Sequence, residues 1–131
     1  MSTLRGSLDS SDTPFVTIAV SAPSGPSQFI DAVIDTGFTG FLQVPAGTAR
    51  ELALTPLGLS ETQYADGRID AIPLAWSRVT LAENVGEGLV HIQPGSDEAI
   101  VGVELLRAFR KILVLSIADG LVLLVDSLAD L

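Results

Sequence analysis

"AVIDTGFTGF", residues 32–41, decides the reading of this chain. Three apolar residues, Ala32, Val33 and Ile34, run straight into Asp35, with Thr36 and Gly37 behind it. An apolar strand leaves its carboxylates at the rim, in water, because an unpaired buried charge is costly. An acid in that position is either a turn-former or a working group. Asp and Gly dominate turns, so Asp-Thr-Gly taken alone is ordinary turn chemistry. The setting sharpens it. An acid that ends an apolar strand is expected to sit partly buried, where it needs hydrogen-bond donors. Thr36 brings a hydroxyl, and Gly37 and Gly40 leave backbone amides approachable.

The rest of the chain bounds what that acid can do. A length of 131 residues indicates one domain with its own core. Apolar residues make up 47% and mean hydropathy is +0.48, which excludes disorder and leads us to expect apolar surface covered by a partner. Sixteen acids against seven bases give a formal charge of −9, which weighs against nucleic acid as a partner. There is no cysteine, so disulfides, thiolate nucleophiles and Cys-based zinc sites are excluded. The single histidine, His91, lies in "LVHIQ" without a G-x-S-x-G elbow and reads as a structural strand residue. The first residues, "MSTLRGSLDSSDTP", carry no apolar signal region. "ILVLSIADGLVLLV" (112–125) is too short to span a bilayer and is broken by Asp119-Gly120. A soluble cytoplasmic protein is expected, with residues 1–13 a flexible extension and 14–131 the domain.

Strand signals dominate. "PFVTIAVSAP" (14–23) and "QFIDAVIDTG" (28–37) read as a hairpin around "SGPS", and "FLQVP" (41–45) as a short strand stopped by Pro45. "AGTARELAL" (46–54) favours a short helix. Asp66-Gly67 predicts a two-residue hairpin turn between 61–65 and 68–72, polar enough to be mobile. Further strands are expected at 77–83 and 88–93, then "AIVG" (99–102) as a buried strand ending at a glycine. "VELLRAFR" (103–110) reads as a short amphipathic helix with cations at its end. "KILVLSI" and "LVLLV" form a last hairpin. Many short strands, two short helices and no βαβ alternation give an all-β domain, closed or sandwich-like.

"VIDTGFTGFLQVP", an Asp-Gly hairpin and "AIVGVELLRAF", in that order over roughly residues 14–125, resemble the retropepsin-like aspartic proteases, particularly bacterial single-domain members. The resemblance implies a small closed β-barrel that is half an enzyme, with one D-T-G loop per chain. It implies Asp35 as the catalytic acid, Thr36 as a hydroxyl that hydrogen-bonds across a homodimer, Gly37 lining the substrate cleft, and the 61–72 hairpin as a flap tipped by Asp66 and Gly67. Tyr64 is a candidate substrate contact, or an ordinary cross-strand residue. The activity implied is hydrolysis of peptide bonds in a peptide or protein substrate, without cofactor or metal. Two carboxylates in contact cannot both ionise, so a one-acid chain reaches the working pair only as a two-fold dimer.

Two departures bear on specificity. Phe38 stands where viral members carry a small residue, and is expected to crowd the cleft or fill a subsite. Val103 follows Gly102 where many viral relatives have an arginine, so an ion pair at the dimer interface is missing or replaced. In those relatives the termini of both chains interleave, and the apolar C-terminal hairpin has that use open to it.

Other readings are a non-catalytic dimerisation or peptide-binding module on the same fold, or an unrelated barrel with an Asp turn. Asp31 and Asp35 share a strand face but lie about 13 Å apart, too far to hold one ion. "GSDE" (95–98) lacks a calcium-loop pattern, and Gly86 and Gly88 give G-x-G without the third glycine of a dinucleotide site.

Overall fold

In the computed structural model, which describes residues 3–131, most of the chain is strand. β1 (Leu4–Arg5), β2 (Ser7–Leu8), β3 (Pro14–Ser21), β4 (Gln28–Ile34) and β5 (Leu42–Pro45) lead into α1 (Ala46–Glu51). β6 (Pro56–Gln63), β7 (Ile69–Leu81), β8 (Asn84–Gln93) and β9 (Ala99–Val101) precede α2 (Val103–Ala108), and β10 (Ile112–Ser116) and β11 (Leu121–Val125) close the chain before a last 3-10 turn.

Alternation along the strands builds a barrel. Val16, Ile18 and Val20 of β3, Ala32 and Ile34 of β4, Leu42 and Val44 of β5, and Val79 and Leu81 of β7 all point inward and are buried. The eight-stranded sheet runs β2-β3-β4-β9-β5-β8-β7-β6, and an added β3–β7 pairing joins Ala19–Ser21 to Arg78–Thr80. That pairing closes six of the strands, β3-β4-β9-β5-β8-β7, into a ring. β2 and β6 continue past the seam, and β1, β11 and β10 form a separate three-stranded sheet whose Val122 and Leu124 join the core.

Several boundaries differ from the sequence reading. Residues 4–8, expected to be part of a flexible extension, form two strands: Leu4 pairs with Leu124 and Leu8 with Pro14, and both leucines pack on the core. Their apolar side chains are too widely spaced to register as a pattern. β7 runs thirteen residues where two separate strands were expected. Pro73 is accommodated inside it, and the inward phase changes there, from Ile72 to Ala75. β7 returns into β8 through a two-residue turn at Ala82-Glu83, with Ala82 at φ 54. No glycine or asparagine marked that turn, because an alanine takes the left-handed conformation. The turn at 64–68 is also not the expected two-residue type. The Gly67 N–H donates to the Tyr64 carbonyl at 2.9 Å and the Tyr64 N–H to the Arg68 carbonyl at 2.8 Å, with Gly67 at φ +88. That is a three-residue loop with its glycine in the left-handed position. α1 stops at Glu51 rather than 54.

Candidate active site

The Asp35 loop sits where one strand threads between two others. β4 and β5 flank the loop in sequence, but β9 lies between them in the sheet, parallel to β4 (Ile34 beside Val101) and antiparallel to β5 (Leu42 beside Val101). The loop therefore has to pass over the end of β9, and four backbone bonds fasten it there. The Asp35 N–H donates to the Val101 carbonyl at 3.0 Å and Gly102 N–H to Phe41 at 3.1 Å. Val103 N–H donates to the Phe38 carbonyl at 2.9 Å and Glu104 N–H to Gly40 at 3.2 Å. "AIVG", some sixty residues further on, is thus the loop's structural partner. Gly102 is the point of closest approach: a Cβ there would lie 2.1 Å from the Gly40 carbonyl oxygen and 2.7 Å from the Phe38 ring. Only glycine fits.

Asp35 itself is exposed in the single chain, not partly buried as the apolar run suggested. The strand ends at Ile34, and the acid begins the turn. Its Oδ1 accepts the Gly37 N–H at 2.8 Å, and its backbone carbonyl accepts Phe38 N–H at 3.1 Å. A carboxylate held by its own loop keeps a fixed direction while leaving its outer oxygen open to solvent or a partner. Thr36 and Gly37 are exposed beside it.

Phe38 turns inward. Its ring meets His91 edge-on, with centroids 5.5 Å apart and planes at 83°, and covers Gly40 and Gly102. The ring is half-buried and wedges the loop. His91 is accordingly a packing residue on β8, as its sequence setting implied. Burial lowers its pKa below the usual 6.5, against a weaker pull from the Leu42 carbonyl and Glu104, and its Nδ1 is buried without a hydrogen-bond partner. The Phe38–His91 contact had no signal in the sequence, since 53 positions separate the two rings.

The 56–73 hairpin carries the other predicted residues. Tyr64, half-buried, stacks under the Arg68 guanidinium at 4.4 Å. A hydrogen bond to Asp70 and that residue's charge raise the Tyr64 pKa. Both contacts are within the hairpin, which fits the cross-strand role. Asp66 Oδ1 accepts the Arg68 N–H at 3.0 Å and shapes the tip with Gly67. Among the described residues, no group of three or more His, Cys, Asp or Glu side chains comes together as metal ligands, and no helix is long and apolar enough to cross a membrane. A cleft of about 520 Å³ opens between Arg5, Ser7, Thr17 and Asp31, and its lining does not include Asp35.

This architecture is that of the retropepsin-like aspartic proteases. The structure superposes on a retropepsin-like aspartic protease from Rickettsia conorii with a TM-score of 0.66 at 14% identity, covering 94% of this chain and 90% of that one. It superposes on the EIAV protease, solved with the inhibitor HBY-793, with a TM-score of 0.61 at 14% identity, covering 82% and 97%. In sequence the chain is 29% identical over 110 residues to an uncharacterized protein of Archaeoglobus fulgidus, covering 77% of this chain and 86% of the relative. No family model matches it.

Proposed function

We propose that the chain is an aspartic endopeptidase that works as a homodimer, each copy supplying one Asp35. The observation that carries this is the Asp35 carboxylate, turned outward at the end of β4 on a loop bolted to β9. A fixed, solvent-facing acid with one oxygen committed to its own loop is half of a pair in which two acids share a proton. The fold's likeness to two aspartic proteases supports the same reading.

The chemistry follows from the pair. The ionised Asp35 takes a proton from a water lying between the two acids, and the resulting hydroxide adds to the peptide carbonyl carbon. The protonated Asp35 of the partner subunit gives its proton to the carbonyl oxygen, leaving a neutral tetrahedral diol. Collapse of the diol breaks the C–N bond as the first carboxyl protonates the leaving nitrogen and the other recovers a proton from the diol. No covalent enzyme intermediate forms. In this reading Thr36 bonds across the dyad and Gly37 lines the substrate cleft. The 61–72 hairpin serves as the flap that closes over substrate and excludes water. We place the protein in the cytoplasm, with a peptide or protein substrate.

The test is cleavage of a diverse peptide library from about pH 4 to 7, by wild type and Asp35→Asn, at several protein concentrations. Asn is nearly isosteric, so the fold survives while the pair loses its base. Cleavage by wild type alone, rising faster than linearly with concentration, is the expected result. Equal background from both proteins, with the wild type dimeric, would leave a binding module on this fold.

A further inference from the structure

The chain changes sheets at Gly6, and a cleft opens beside the crossing. β1 pairs with β11 in the three-stranded sheet, with Arg5 beside Leu123. β2 pairs with β3 in the large sheet, with Ser7 beside Phe15. Gly6 joins the two, and a Cβ there would lie 2.1 Å from the Phe15 carbonyl oxygen, so only glycine lets the crossing run this close to β3. β4 covers one side of β3 along most of its length. On the other side β2 reaches only to Phe15, and β7 takes over only at Ala19. Residues 16–18 of β3 therefore have no partner strand on that side among the described residues. Successive residues of a strand turn their N–H and C=O groups to alternate sides, so at least one of these three turns them away from β4.

The cleft, at about 520 Å³, is of the size that holds small ligands. It carries both signs of charge. Arg5 comes from the crossing chain and Asp31 from β4. Among the described residues the ion pairs are Arg78–Glu87 and Lys111–Asp126, so Arg5 and Asp31 line one cleft without meeting each other. Thr17 lies opposite Asp31 on β3 and donates its hydroxyl to Oδ1 at 2.6 Å. That bond fixes the carboxylate and leaves Oδ2 for another donor. Ser7 adds a second hydroxyl, and half-buried Phe15 an apolar wall. Opposite charges held apart suit a molecule that carries both charges itself, because each then gains a charge-assisted hydrogen bond.

We infer that this cleft binds a short peptide of two or three residues with both ends free, at a site separate from Asp35. The ammonium of the peptide meets Asp31 and Thr17, its carboxylate meets Arg5, and its peptide bonds meet the open stretch of β3. A single amino acid carries the same two charges but has no peptide bond to offer that stretch, which favours the peptide. The site reads the ends of a chain, whereas the dyad proposed above acts on its interior, and binding here does not require that dyad. Arg5, Ser7, Thr17 and Asp31 are all exposed, so water competes at each contact and the expected affinity is modest, about 1 mM.

The test is a titration of trialanine into isotope-labelled Asp35→Asn protein, followed by amide chemical shifts at about pH 7, where both ends of the peptide are charged. The substitution removes cleavage from the experiment. Saturable shifts at residues 5–7 and 15–18 are expected. Trialanine amide, which lacks the carboxylate, and N-acetyl-trialanine, which lacks the ammonium, should each bind about tenfold more weakly. Arg5→Gln should weaken trialanine about tenfold and leave trialanine amide unchanged. Asp31→Asn should weaken trialanine by about the same factor and leave N-acetyl-trialanine unchanged. Unchanged binding of the capped peptides shows that each variant keeps its fold and its cleft. Equal affinity for capped and free peptides, no effect of either substitution, shifts centred on residues 35–37, or no saturation by about 50 mM would each overturn the site. Free alanine binding as tightly as trialanine would overturn the peptide as its ligand.

Discussion

Gly102 and Gly67 lie in regions built to opposite standards. A side chain on Gly102 would collide with the Gly40 carbonyl and the Phe38 ring, whereas one on Gly67 would meet nothing within 4 Å. Around Gly102, four backbone bonds and a buried barrel end hold Asp35 in place. Around Gly67, a two-stranded hairpin extends with Leu57, Leu59 and Ile69 at 68%, 66% and 58% exposure. A catalytic acid has to be fixed to be useful, and a cover over a cleft has to open. Under the proposed function, the apolar side chains left in water on the hairpin would be the ones a bound peptide covers.

The difference is open to direct test, and the largest effect is expected at Gly102. Gly102→Ala places a methyl 2.1 Å from backbone oxygen, where no flexible side chain can yield. We expect a loss of about 3 kcal/mol in urea unfolding, the upper end for overpacking, together with loss of any activity that depends on Asp35. A variant of near wild-type stability would show that the loop rides freely over β9, and the contrast with the hairpin would collapse.

Phe38→Ala comes next. The ring is half-buried against His91, so its removal should cost about 2 kcal/mol, below the range for a fully buried phenylalanine. The same variant separates two roles. A wedge loses stability and lowers cleavage of all peptides alike, whereas a subsite wall keeps its stability and changes which peptides are cut.

Gly67→Ala should act differently in kind. At φ +88 a Cβ is strained by about 1 kcal/mol, and the strain belongs to the hairpin tip rather than to the barrel. Hydrogen exchange is the suitable measurement. Amides of 56–72 should exchange about fivefold faster than in wild type while those of 99–104 are unmoved. Equal acceleration in both segments would mean that hairpin and barrel open as one unit.

The two regions also differ in how far the sequence announced them. The order of strands, the D-T-G loop and the hairpin were visible because alternation and Asp-Gly turns are local signals. The exposure of Asp35 was not, because it depends on the strand ending at Ile34 rather than running on to residue 37. Nor was Phe38's orientation, which is set by Gly102 and His91 from distant parts of the chain. The hairpin at Ala82-Glu83 was hidden by an alanine at positive φ, and the strands at 4–8 by their brevity. Local chemistry thus wrote the parts list, and long-range packing determined which way the side chains of the site face.

The smallest effect lies behind the loop, at His91. Burial lowers its pKa, so the folded protein binds the imidazole proton less readily than the unfolded chain does. Above the usual value of 6.5 both states are neutral and the residue contributes nothing to pH dependence. As pH falls through 6.5 the unfolded chain takes up the proton first, and stability declines until the folded-state value is passed. His91→Phe keeps a ring against Phe38 but cannot titrate. The stability difference between the two proteins should therefore move in the variant's favour between pH 7 and about 5, measured by urea midpoints at each pH. A difference that stays flat would mean that the folded imidazole is protonated as easily as a free one. The Phe38 wedge would then be wetter than its packing indicates, and the loop nearer in character to the hairpin than to the barrel.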